Sequence, residues 1–91
     1  VATDAHISKE DTNYLARVSH DGLAMAIRPC HTIRDGDTMF ALATGHNQSS
    51  FDLTALGAAA VEATAQAVLR AVRPATGLGG IPSINEWTAN E

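Results

Sequence analysis

One cysteine, Cys30, stands among 91 residues, so the chain can form no internal disulfide and contains no Cys-x-x-Cys motif. The fold has to hold without covalent staples. Basic residues are scarce as well: 6 Lys+Arg face 10 Asp+Glu, the formal charge is −4, and no basic cluster occurs. Nucleic-acid grooves and anionic membrane surfaces are met by dense positive charge, so neither is expected as a partner. The four histidines, His6, His20, His31 and His46, show no i, i+4 pair and no His-Glu-x-x-His run. No metal and no cofactor is expected on that ground. Apolar runs fall well short of the roughly 20 residues that span a bilayer, and no basic segment precedes them. A soluble, cytoplasmic protein is the expectation, with a periplasmic one as the alternative. Internal repeats and low-complexity segments are also missing.

What remains is a small chain that is 45% hydrophobic. At this size a chain buries a modest share of its surface, and something else is expected to complete its core. It starts Val1-Ala2-Thr3-Asp4, without Met, which points to processing or to a fragment of a longer product.

Val1 to Thr3 reads as the end of a strand. Ser8 and Asp11 form a capping box for a helix that should run to about Arg28, where Pro29 disfavours further helical geometry. Leu15, Val18, Gly22 and Met25 or Ala26 recur at three- and four-residue steps, with Gly22 admitting a close neighbour. A polar connector, His31 to Asp37, carries the tight-turn pair Asp35-Gly36. Thr38 to Thr44 then reads as a strand buried on both faces. His46 to Ser50 is a loop, and a second helix should start at Asp52 or Thr54 and reach Arg73 before Pro74. That helix is apolar around most of its circumference and has to be covered. Residues 1–74 are expected to belong to the domain, and 75–91, where Gly77, Gly79, Gly80 and Pro82 break regularity, to a Gly-rich C-terminal tail that carries Trp87.

The order strand, helix, strand, helix gives a β-α-β crossover if the strands are parallel. A helix of about 20 residues rises about 30 Å, while a strand of about 8 residues rises about 26 Å. The helix therefore returns the chain to a level several residues upstream of Val1, and the Asp35-Gly36-Asp37 turn lies there. Taken by spacing, two aspartates flanking a glycine beside Arg34 are either a solvated turn whose carboxylates cap backbone N–H groups or a carboxylate pair serving proton transfer or a cation. A calcium loop is disfavoured, because the remaining oxygen ligands are absent.

Three stretches, Val1-Ala2-Thr3-Asp4-Ala5, His20 to Pro29 and Asp35-Gly36-Asp37-Thr38-Met39-Phe40-Ala41-Leu42-Ala43-Thr44-Gly45, resemble the C-terminal part of the L-aminopeptidase/D-esterase family, which includes β-peptidyl aminopeptidases and the nylon-oligomer hydrolase. The resemblance covers residues 1 to about 73. It implies an α/β chain that is a β-α-β-α fragment of a four-layer αββα sandwich. It further implies a self-cleaving N-terminal nucleophile hydrolase of peptides or related amides, whose Ser or Thr nucleophile lies about five positions before Val1. This chain lacks that residue and would be inactive alone. The implied partners are the larger N-terminal chain of the same precursor, a small peptide or amide substrate, and further copies in a homo-oligomer.

By that match, Asp35 and Asp37 are the expected catalytic residues, supporting a nucleophile whose free α-amine, with a reference pKa of about 7.7 to 8.0, takes the proton of its own hydroxyl. At least one carboxylate is expected to be tempered by Arg34, another cation or a hydrogen bond, since excess negative charge would raise the amine pKa. A related alternative is an ornithine acetyltransferase-like acyl transferase, but Met39-Phe40-Ala41-Leu42 departs from that family's turn. A non-catalytic structural subunit is the remaining alternative. Cys30 reads as a small semi-buried side chain, His20 and His31 as packing or hydrogen-bonding residues, and Trp87 as either loosely ordered or an anchor on another chain.

Overall fold

Ser8 ends an extended segment (φ −69°, ψ 166°) and its hydroxyl oxygen accepts from the Asp11 N–H at 3.1 Å, so a helix starts here as the capping pattern predicts. In the computed structural model, which describes residues 1–89, the order is β1 (Ala2–Ala5), α1 (Lys9–Ala26), β2 (Leu42–Asn47), α2 (Leu53–Val72) and α3 (Ile84–Ala89). The chain is α/β, with β1 and β2 paired in a two-stranded parallel sheet.

The two helices meet through small residues. A β-carbon at position 22 would lie 2.7 Å from the Thr64 Cβ and run into the Val61 carbonyl oxygen, so only glycine fits where α1 crosses α2. At Gly57 a β-carbon would come within 3.2 Å of the Tyr14 ring, a tight contact that would require that side chain to give way. Leu15, Ser19 and Gly22 of α1 are buried, as are Gly57, Ala60, Thr64 and Ala65 of α2. The two buried hydroxyls are satisfied within their own helices: Ser19 donates to the Leu15 carbonyl at 2.6 Å and Thr64 to that of Ala60 at 2.9 Å.

Several expectations are corrected. The second strand is Leu42–Asn47, displaced toward the C-terminus from 38–44, and it alternates exposed with half-buried positions instead of being buried on both faces. Among the described residues its pairing partner is β1, and nothing covers its outward-facing side, so Leu42 is 62% exposed and Phe40, just before the strand, 78%. The strand also runs through His46 and Asn47, expected as loop. Gly45, at φ 75°, sits where the register shifts from Thr3↔Ala43 to Ala5↔Asn47.

The tail has structure too. Gly79 and Gly80, at φ 61° and 81°, turn the chain so that Leu78 and Ile81 exchange backbone hydrogen bonds of 3.0 and 3.1 Å. The Glu86 carboxylate accepts from the N–H groups of Gly77 and Ser83, which lowers its pKa. Finally, α2 is long and apolar enough to cross a membrane by length and composition, contrary to the expectation from short apolar runs. Glu62 and Arg70 interrupt those runs without breaking the helix.

Apolar surface stays open. The chain exposes 6712 Å², against the ~5,000 Å² of a compact monomer of 9.5 kDa. A groove of about 510 Å³ lined by Val1, Leu23, Met39, Ala63, Val68 and Ala71 runs between the helices and the strand ends. The isolated 91-residue chain should therefore show no sharp thermal transition by circular dichroism as a monomer. A cooperative monomeric transition would contradict this reading of the open face.

Candidate functional site at the turn before β2

α1 stops at Ala26, and the Ile27 N–H still donates to the Leu23 carbonyl before the backbone turns extended. The Arg28-Pro29 peptide is cis, and His31, at φ 58°, is a non-glycine residue in the left-handed region. Asp35 then closes a small loop: its N–H donates to the Thr32 carbonyl at 3.0 Å and its carboxylate accepts from the Thr32 N–H at 2.8 Å. One of the two expected catalytic carboxylates is thus engaged in holding the turn.

Asp37 is placed differently. Its Oδ2 lies 2.9 Å from His31 Nδ1 and accepts a long contact, 3.9 Å, from the Cys30 thiol. The side-chain partner of the Asp37 carboxylate is the His31 ring, and no ion pair between Arg34 and either aspartate occurs among the described residues. The His31 ring rests against His20, with centroids 4.9 Å apart and the planes tilted by 57°. His20 Nδ1 is buried with no hydrogen-bond partner among the described residues.

The turn is joined to the sheet. The Val1 nitrogen donates to the Phe40 carbonyl at 2.8 Å and the Leu42 N–H to the Val1 carbonyl at 2.9 Å, so the parallel ladder continues past Ala2↔Leu42 toward the turn. Asp35 and Asp37 both lie exposed in the connector that leads into β2.

The spacing rules did not find the grouping of Cys30, His31 and Asp37, whose donor atoms all lie within 4.8 Å of one another. Each rule looked for repeated Cys or His at helix or knuckle spacing. Here an adjacent Cys-His pair meets an aspartate six residues further on, through a loop that no short motif describes. The Cys30 pKa is raised, first by partial desolvation and then by the Asp37 charge, with a smaller opposing effect of the His31 N–H. A thiol in that state is a poor nucleophile.

The sequence pattern of Peptidase family S58 matches residues 1–84. An uncharacterized aminopeptidase of Mycobacterium leprae is 43% identical over 96 aligned residues, which cover 91% of this chain and 26% of the relative. An uncharacterized aminopeptidase of Mycobacterium tuberculosis is 40% identical over 99 residues, 94% of this chain and 29% of the relative. The 6-aminohexanoate-oligomer endohydrolase of a Kocuria species is 33% identical over 84 residues, 80% of this chain and 24% of that enzyme. The chain thus spans about a quarter of the length of these relatives. No solved structure matches it significantly.

The raised thiol pKa gives a direct check. At neutral pH and with a chelator present, Cys30 should react with iodoacetamide more slowly than a free cysteine, because less of it is thiolate. Asp37→Asn removes a charge and a hydrogen bond that both raise the pKa, so alkylation should speed up. An unchanged pH–rate profile would contradict the electrostatic coupling.

Proposed function

The chain belongs to peptidase family S58, and from that premise we propose that it is the C-terminal part of a self-processing amide hydrolase of the aminopeptidase or amidase type. The observation that carries this reading is the strand register. Ala2 pairs with Leu42 and Thr3 with Ala43; continued upstream, the same pairing carries a residue about five positions before Val1 to the level of Gly36. That is where the family resemblance expects the nucleophilic Ser or Thr. Asp35 and Asp37 then flank it.

The chemistry is that of an N-terminal nucleophile. Its hydroxyl attacks the amide carbonyl while its own α-amine takes the hydroxyl proton and later gives it to the leaving amine. An amine with a pKa near 8 does this at neutral pH only if neighbouring carboxylates orient it without holding it protonated. The geometry supports that balance: Asp35 spends part of its charge on the Thr32 N–H, and Asp37 shares its own with His31. The open apolar groove and the exposed Phe40 and Leu42 are where the remaining layers of a four-layer αββα sandwich, from the larger chain, would lie. The relatives' names, aminopeptidase and oligomer endohydrolase, favour hydrolysis over acyl transfer to a second substrate.

In the protein as expressed from its own gene, Asp35→Asn and Asp37→Asn should each lower turnover of an amino-acid p-nitroanilide about a hundredfold or more per folded molecule, the scale of a disrupted acid–base arrangement. If the turn is only structural, stability falls by about 0.5–2 kcal/mol through the lost caps while the folded fraction keeps its activity. Near wild-type turnover in both variants would remove the catalytic role of this turn.

A further inference from the structure

Soft, intermediate and hard donors converge in the connector after α1. The Cys30 sulfur, His31 Nδ1 and Asp37 Oδ2 lie within 4.8 Å of one another, with His31 Nδ1 to Asp37 Oδ2 at 2.9 Å and Cys30 Sγ to Asp37 Oδ2 at 3.9 Å. A tetrahedral zinc ion, with bonds of ~2.3 Å to sulfur and ~2.0–2.2 Å to nitrogen and oxygen, holds its donors ~3.6 Å apart for the S···O pair and ~3.4 Å for the N···O pair. The S···O and N···O separations are within about half an ångström of that requirement, and the sulfur and the ring nitrogen, within 4.8 Å of each other, have to close further, a change that rotations of exposed side chains can supply.

We propose that Cys30, His31 and Asp37 bind one divalent ion of the zinc class, leaving a fourth position open to water. The donor set is the one such an ion selects: thiolate for softness, imidazole for the borderline character of zinc, carboxylate for charge. Binding is proton-linked. The Cys30 S–H bond breaks, its proton goes to solvent, and a metal–sulfur bond forms, while His31 contributes the lone pair of Nδ1 with its proton on Nε2.

A second observation points to the same corner. His20 Nδ1 is buried without a hydrogen-bond partner among the described residues, and its ring lies 4.9 Å from that of His31. A buried polar atom left unpaired is costly, and it lies on the ring that packs against His31. Asp35, committed to Thr32, takes no part in the set.

This proposal is independent of the hydrolase reading, because binding is measured without substrate. Chelator-treated protein, expressed from its own gene, is titrated with Co2+ as the probe. One equivalent should bring up a near-ultraviolet thiolate-to-cobalt charge-transfer band and the intense visible bands of tetrahedral cobalt, both displaced by Zn2+. Cys30→Ser should abolish the charge-transfer band. His31→Ala and Asp37→Asn should each weaken binding about tenfold to a hundredfold or more, at least the scale of losing a supporting group around a metal. Circular dichroism checks that Cys30→Ser, a near-isosteric change at a half-buried site, leaves the fold intact. Asp35→Asn should keep the charge-transfer band. A wild-type protein without the band, or a band that persists in folded Cys30→Ser protein, overturns the assignment.

Discussion

Parallel pairing between β1 and β2 is the constraint on which the other features depend. Two parallel strands cannot be joined by a tight turn, so the chain has to travel the full length of α1 to come back. The 18 residues of α1 overshoot the four of β1, which puts the connector and its aspartates beyond the end of the short strand. The Val1–Phe40 and Leu42–Val1 hydrogen bonds then lock the connector's exit to the level of the first residue. The level proposed for Asp35 and Asp37 along the sheet rests on this lock, whereas their partners Thr32 and His31 come from the connector itself. The one irregularity in the ladder, at Gly45, falls at the other end and leaves the register beside the turn undisturbed.

The same sheet needs a backing, and small side chains let α1 and α2 provide it. Gly22 and Gly57 bring the helices close, and Ser19 and Thr64 turn their hydroxyls onto their own backbones, leaving methyl and methylene surface at the contact. Close helix packing on one side does nothing for the other. The groove along Leu23, Met39 and Val68 and the exposed strand residues are the surface a further layer would bury. A chain spanning about a quarter of its relatives' length is consistent with that layer coming from the rest of the protein.

The order of the first four elements, both long helices, the Ser8 cap and most of the α1 stripe were legible in the sequence, because capping, proline and periodicity are local signals. Leu15 and Gly22 are buried and Val18 and Ala26 half-buried, while Met25, the other choice for the last step, is 55% exposed. The second strand was legible as a strand but misplaced. The hydrophobic run from Met39 invited a start near Thr38, whereas pairing begins only where β1 offers a partner, at Leu42. The double-sided burial inferred for it relied on apolar content, which cannot tell a covered sheet from one whose cover lies elsewhere. The Leu78–Ile81 turn and α3 were hidden because Gly79 and Gly80 read as breakers, when their positive φ is what lets the chain fold back. At the site, an Asp-Gly turn signal and crossover geometry drew attention to Asp35 and Asp37, while the contact between Asp37 and His31 was not foreseen, since the two lie six residues apart in an irregular connector that no short motif describes.

The central claim is that this register sets the Asp35-Gly36-Asp37 turn beside a nucleophile upstream of Val1. It is tested most directly by the Cα–Cα distance between Gly36 and the first residue of the processed C-terminal chain, in a crystal structure of the whole protein. Continued parallel pairing predicts about 5 Å, the spacing of neighbouring strands, with that first residue a Ser or Thr. A separation of roughly two strand spacings or more, or an uncut chain running through this position, would contradict the account.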